Sequence, residues 1–266
     1  MRQGLAFALA LVILAAAAAA GQTVKNDPQA AEQLRAAFGR LAGVTSYRMD
    51  MKMAPGAQMG DQSMDNLAMV MEMVPPDRMR MTGETADVGV EYITVAGETR
   101  YRLTKMKAQP QQAGGGMSFL SFLSMAVSAA VNPTGALVGA ATSALSSMMA
   151  PGAGMPQLGV WQCPPKLGPG VPPSPAGRAG AAEMAVSRLG DVAIDGAPVQ
   201  VYLAMPAGQG QGPSMVGKMR VYVLNDRGLP RRMEVLDAAD KPTMTADYRD
   251  YDAPITIQLP PCGQKT

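Results

Sequence analysis

Histidine is absent from the 266 residues, tryptophan occurs once and phenylalanine four times. Without an imidazole the chain has lost the commonest general base and the commonest zinc ligand. Only two cysteines, Cys163 and Cys262, are present. Neither has a base partner in its vicinity of the sequence, so a thiolate nucleophile is not indicated. Lysine plus arginine exceed aspartate plus glutamate by two, 23 against 21. With no long basic run and few aromatics, the chain does not read as a nucleic-acid binder. Gly208, Gly210 and Gly212 alternate with glutamine, but no Lys-Ser/Thr pair and no helical pattern follows, so this is a loop and not a phosphate cradle. Asp247, Asp250 and Asp252 form an acidic cluster with no second set of ligands nearby, which reads as a solvated strand end in preference to a calcium site. No metal or cofactor is expected, and the chain reads as a non-enzymatic binding protein.

Charge is missing in another way at the N-terminus. Arg2 is followed by the uninterrupted apolar run Leu5–Ala20, and the small residues Ala18 and Ala20 fit a signal-peptidase site. Residues 1–21 are therefore expected to be a cleaved signal peptide, leaving residues 22–266 as a single periplasmic or secreted domain. An uncleaved membrane anchor is the alternative, with a length at the lower edge of what spans a bilayer. In an oxidising compartment Cys163 and Cys262 are expected to pair, closing a loop of roughly a hundred residues and contributing ~4–5 kcal/mol on the chain-entropy model. Two free, buried thiols are the alternative.

What the chain has in abundance is methionine, 23 residues of it, placed with a period of two. Tyr47, Met49, Met51 and Met53 alternate with Arg48, Asp50 and Lys52. Leu67, Met69, Met71 and Met73 repeat the pattern, as do Met79 and Met81. Each is expected to be a half-buried antiparallel strand. Two more strands are expected near Val90–Val95 and Thr99–Thr104, separated by Ala96-Gly97-Glu98. Val199, Val201 and Leu203 form one face and Met219, Val221 and Val223 another. The turn Asn225-Asp226-Arg227-Gly228 leads to Arg232–Leu236, then come Thr243–Tyr248 and a closing strand through Ile255, Ile257 and Leu259. Ahead of them, Ala30–Ala42 is expected to be a helix with Leu34, Phe38 and Leu41 on its apolar stripe, capped by Asp27-Pro28 and stopped by Gly43.

The methionine spacing has three readings. An adaptable thioether lining suits variable apolar cargo; plain core packing on alternating strands gives the same spacing; and soft thioethers can hold Cu(I).

From Ala108 to Pro165 no residue is charged. Met117–Val131 and Ala136–Met149, broken by Asn132-Pro133-Thr134-Gly135, read as two short serine-striped apolar helices. This insertion, residues 108–165, is expected to form a lid, with Phe119, Leu120, Phe122 and Leu123 as the side chains an incoming acyl chain would replace. The glycine- and proline-rich stretch 164–180 is expected to be a linker. Burying a methylene gains about 0.8 kcal/mol, so a long acyl chain offers on the order of 10 kcal/mol, much of it offset by displacing the lid.

The segments GVTSYRMDMKM (Gly43–Met53), MVPPDRMRM (Met73–Met81) and VEYITVAGETRYRL (Val90–Leu103) come in a familiar order. After the insertion follow Lys218–Asp252 and ITIQLPP (Ile255–Pro261). From about Ala30 to Pro261 the chain resembles the periplasmic lipoprotein carriers of the LolA type, within the LolA/LppX/RseB-like superfamily. The resemblance implies an α+β fold, an open antiparallel half-barrel sheet wrapped around the N-terminal helix and an apolar helical lid. It implies a carrier of lipid or acylated protein, with an envelope membrane donor or acceptor protein as partner. The cargo-facing residues would be Met49, Met51, Met53, Met69, Met71, Met79, Met81, Val201, Leu203, Val221, Val223 and Met233. The same resemblance also covers envelope sensor or interaction modules that transport nothing. Carriers of this type have an arginine directly before the proline of the second turn, which helps to hold the lid shut. Pro75 stands at that place here, with Arg78 and Arg80 as the nearest substitutes.

Overall fold

The computed structural model describes residues 25–56, 58–59, 62–63, 67–107, 157–163, 184–206 and 218–263. The expected signal peptide, both lid helices with Phe119, Leu120, Phe122 and Leu123, the 164–180 linker and the Gly208–Gly212 loop lie outside these residues.

Helix α1 (Pro28–Gly39) opens where the sequence places it. The Asp27 carboxylate accepts from the backbone N–H of Gln29 at 2.9 Å and of Ala30 at 3.2 Å, and Pro28 occupies the first turn, where no N–H is needed. A single 3-10 turn, Arg40–Gly43, completes it and buries Leu41. Twelve strands follow among the described residues: β1 (Tyr47–Met53), the short pair β2 (Gln58–Met59) and β3 (Gln62–Ser63), then β4 (Ala68–Val74), β5 (Arg78–Glu84), β6 (Val88–Val95) and β7 (Glu98–Met106). Beyond the insertion come β8 (Met184–Ile194), β9 (Ala197–Pro206), β10 (Met219–Leu224), β11 (Pro230–Leu236) and β12 (Pro242–Arg249).

Ten of them form one sheet in the order β7-β6-β5-β4-β1-β12-β11-β10-β9-β8, every neighbour antiparallel. The chain thus builds two meanders and joins them where β1 meets β12. This open sheet around a single N-terminal helix is the half-barrel that the resemblance implies. Turn chemistry sets the corners. Pro75-Pro76-Asp77 links β4 to β5 with a cis bond between the prolines. Gly228 (φ +60°) closes the β10–β11 turn in a conformation that L-residues avoid. Its missing side chain also matters, because a Cβ there would come within 2.5 Å of Arg40 Nη1. Arg40 lies over that turn and donates to the Gly228 carbonyl at 3.2 Å, fixing the end of α1 against the sheet.

Three elements depart from the sequence expectations. Strand β8 was not expected. Its sequence, MAVSRLGDVAI, has no period of two because a bulge between Arg188 and Gly190 switches the side-chain parity midway. The segment Ile255–Leu259 is not a closing strand. It runs extended on the outer face of the sheet, where Ile257 is buried with Ile93 and Trp161 and is flanked by Ile255 and Leu259. Finally, the stretch 157–163, expected to be part of the lid, lies along the free edge of β7. Gln162 N–H donates to the Tyr101 carbonyl at 2.8 Å and Gly159 N–H to the Leu103 carbonyl at 2.8 Å. Cys163 and Cys262 are joined as a disulfide, Cα atoms 5.8 Å apart, so this strap and the C-terminal tail hold one another in place.

Candidate functional site

The register of the sheet determines which side chains share its helix-covered inner face. Directly opposed residues in antiparallel strands point the same way. From β6 to β12 the opposed rows are Tyr92, Met81, Met71, Met49 and Tyr248, and beside them Thr94, Met79, Met73 and Tyr47. A third row is Val90, Gly83, Met69, Met51, Ala246, Met233, Val221 and Tyr202. Three adjacent strands, β1, β4 and β5, therefore present methionine side by side, and α1 adds Leu34, Ala37 and Phe38 to the same cluster.

This places most of the expected cargo-facing residues together. Met49, Met51, Met69, Met71, Met79, Met81, Val221, Val223 and Met233 are buried members of one cluster, and Met53 is half-buried against it. All nine are closed off from solvent, Met79 completely so, with 0 % of its surface accessible.

Val201 and Leu203 are placed differently. Opposite Val221 stands Tyr202, so Val201 and Leu203 point to the outer face, where both are buried. On β9 the inner positions are Gln200, Tyr202 and Ala204. The strand reads V-Q-V-Y-L-A, with apolar residues on both parities, so alternation could not choose the face. The Tyr202 hydroxyl settles it: it donates to Gln200 Oε1 at 2.6 Å and lies 3.0 Å from Gln33 Oε1 of α1.

Tyrosines are the inner-face residues that the sequence reading undervalued. Tyr47 lies between Tyr248 and Tyr251, its ring centroid 6.3 Å from each, and Phe38 of α1 meets Tyr248 edge-on at 6.5 Å. Burial pushes the Tyr47 phenol up to about 12, and it raises those of Tyr248 and Tyr251 as well. The Tyr251 hydroxyl donates to the Pro230 carbonyl, and Tyr92 lies 3.4 Å from the Thr99 hydroxyl. The Tyr248 hydroxyl is fully buried and has no hydrogen-bond partner among the described residues. The signal for these residues was present as alternation in TADYRDYD, but aromatic positions were read there only as strand formers.

The outer face has the opposite character. Charges alternate across the strands, Arg48 with Glu72, Glu72 with Arg80 (3.5 Å), Arg80 with Glu91 (3.2 Å) and Glu91 with Arg102 (2.6 Å). The ladder ends where the Arg102 guanidinium stacks 4.7 Å from the centre of the Trp161 ring. Arg80 is thus committed to the outer face, and Arg78, two residues earlier on the same strand, shares that face. The lid that either would hold lies outside the described residues. The acidic cluster is likewise neutralised locally: Asp247 pairs with Arg232, Asp250 with Arg249, and Asp252 with Arg227. The Thr45 backbone N–H, with Arg227 beside it, holds the Asp252 carboxyl below the usual carboxylate range.

A cleft of about 550 Å³ opens at the rim between α1 and the β10–β11 turn, lined by Glu32, Gln33, Arg40, Gln200, Tyr202 and Asp226 among others. Its lining is mixed, with Ala36, Val223 and Leu224 beside these polar groups. Among the described residues no helix is long and apolar enough to cross a membrane.

No family model matches the chain, and no curated protein sequence matches it. Among solved structures it is similar to LprF from Mycobacterium bovis, at 13% identity over 90% of this chain and 100% of that one, with a TM-score of 0.42. It is also similar to the Mycobacterium tuberculosis lipoprotein LppX, at 10% identity over 87% and 100%, TM-score 0.41. MucB is a third, at 13% identity over 90% and 66%, TM-score 0.43. The fold assignment rests on the strand order and register above.

Proposed function

We propose that this protein binds, and carries, a lipid or an acylated protein in the bacterial envelope, holding the acyl chain against the inner face of the half-barrel. The observation that carries the reading is the side-by-side row of methionines on β1, β4 and β5, Met49, Met51, Met69, Met71, Met79 and Met81. A rigid core of this size is ordinarily built from branched residues with fixed rotamers. Unbranched thioether side chains re-form their packing around a guest at low cost. Because these residues are closed off from water, entry of cargo exchanges protein–protein apolar contacts for protein–acyl contacts. The net affinity is then a small difference between two large terms, which suits reversible hand-over. The expected lid residues Phe119, Leu120, Phe122 and Leu123 would supply part of what the cargo displaces. No residue of the chain is assigned chemistry.

The test is titration of the mature protein with an environment-sensitive fluorescent fatty acid. Saturable binding in the micromolar range or tighter, competed by unlabelled long-chain lipid and weakened as the chain is shortened, is the expected result. Signal that neither saturates nor depends on chain length would refute the proposal.

A second reading, an envelope sensor or interaction module on the same fold, has one observation in its favour. Leu189 and Val192, three residues apart on the edge strand β8, are exposed apolar side chains. An exposed apolar patch at a sheet edge is a common place for a protein partner. Such a module would bind that partner with equal affinity whether or not lipid is present.

A further inference from the structure

On the inner face nearly every polar group is matched within the protein. The Tyr92 hydroxyl lies beside Thr99, the Tyr202 hydroxyl donates to Gln200 with Gln33 beside it, and the Tyr251 hydroxyl donates to Pro230. Among the described residues of that face, Tyr248 has the side-chain hydroxyl that is both fully buried and without a partner. It sits on β12, in the middle of the ten-stranded sheet, directly opposite Met49 and beneath Phe38 of α1. The residue is 1 % exposed, and its hydroxyl finds no acceptor or donor among the described residues.

A buried hydroxyl without a partner destabilises the protein that carries it. Phenylalanine would keep the ring contacts with Phe38 and Tyr47 and remove that penalty. For packing alone the oxygen is therefore a liability, and it gains a purpose only if something other than the protein supplies the acceptor. The side chains it packs beside, Met49, Tyr47 and Phe38, are uncharged, and Arg231, which donates to the Tyr248 backbone carbonyl at 3.0 Å, is already paired with Asp195. A carboxylate or phosphate brought to the hydroxyl would meet no unpaired cation among these residues and would lose its hydration, so a neutral acceptor is the fitting one.

We propose that the Tyr248 hydroxyl is the polar anchor of the acyl site, donating a hydrogen bond to the carbonyl oxygen of an ester- or amide-linked acyl chain. This rests on the acyl-binding reading above and narrows it, from any apolar chain to one that carries a neutral carbonyl at its head. The chain's hydrocarbon would lie along the methionine rows, with the carbonyl at the β1–β12 junction.

The experiment compares two probes of equal chain length, a monoacylglycerol and the corresponding monoalkylglycerol ether, which differ only in the carbonyl. Affinities are measured by calorimetry for the wild-type protein and for Tyr248→Phe. The wild-type protein is expected to bind the ester about tenfold more tightly than the ether, the discrimination one buried hydrogen bond provides. In Tyr248→Phe the two affinities should converge to within about twofold, with the ether affinity unchanged. An ester preference that survives in Tyr248→Phe would overturn the anchor while leaving the acyl site intact. Failure of wild-type protein to bind either probe would overturn both the anchor and the acyl-binding reading. A second measurement needs no variant: the infrared stretch of a carbon-13-labelled ester carbonyl, bound to wild-type protein, should move to lower frequency than in dry alkane. A bound carbonyl with the frequency of a non-hydrogen-bonded ester would also overturn the anchor.

Discussion

Phe38 of α1 meets Tyr248 of β12 edge to face, the ring centroids 6.5 Å apart and the planes inclined at 73°. Two residues separated by most of the chain thus join the helix to the seam between the two meanders. Edge-on pairs of this kind are worth about 0.5–1.5 kcal/mol beyond the area they bury. A double-mutant cycle with Phe38→Leu and Tyr248→Leu, followed by urea denaturation, should return a coupling energy in that range. Additive effects would mean that α1 rests on the seam without a specific ring contact.

Truncation on the methionine face should be far more costly than truncation at the exposed Met205 of β9. Met71 is 2 % exposed and Met205 is 38 % exposed. Met71→Ala is expected to destabilise by about 2–5 kcal/mol and Met71→Leu by less than about 1.5 kcal/mol. Met205→Ala should stay within about 0.5 kcal/mol of wild type. Equal losses at both positions in chemical denaturation would contradict the assignment of faces.

The disulfide spans 99 residues and joins the β7 strap to the tail. Reduction, or the double variant Cys163→Ser with Cys262→Ser, should cost on the order of 4–5 kcal/mol on the chain-entropy model. Hydrogen exchange should locate the effect. The amides of Gly159, Gln162 and Gly263, which donate to Leu103, Tyr101 and Trp161, lose protection first. Amides of β1 and β12 keep theirs until global unfolding.

All seven tyrosines have phenols raised above their ordinary value, with burial the leading cause in each, and Tyr47 is pushed up to about 12. A folded-state value above the unfolded one stabilises the native protein below the unfolded pKa near 10, and that contribution is lost as pH rises from 10 through 12. For Tyr47 the two-unit difference corresponds to about 2–3 kcal/mol. Tyrosinate absorbance should therefore lag behind that of free tyrosine and then rise together with loss of circular dichroism. Independent titration of Tyr47 near pH 10 in folded protein would contradict its burial.

How much of this was legible beforehand differs by element. The helix and its Asp27 cap, the β1, β4 and β5 faces and the Pro75-Pro76-Asp77 corner all follow from period, capping and turn chemistry, which are local. Strand β8 was hidden because its bulge at Arg188–Gly190 breaks the period on which recognition depends. On β9 both parities are apolar, so only long-range pairing of Val221 with Tyr202 decides that Val201 and Leu203 face outward. The strap and tail escaped for a similar reason. Trp161, Ile257 and Ile93 come together across nearly the whole chain, and nothing in any one segment announces the other two. The orphaned Tyr248 hydroxyl is a statement about missing neighbours, which only coordinates can make.

The most direct test of the account is native mass spectrometry, with lipid extraction, of the mature protein purified gently from a host that exports it. Co-purifying lipid or acylated species, displaced by added long-chain monoacylglycerol, are the predicted result. A clean unliganded mass that stays unliganded after incubation with lipid vesicles and monoacylglycerol would contradict the central claim, and the methionine face would then be a packed core and no more.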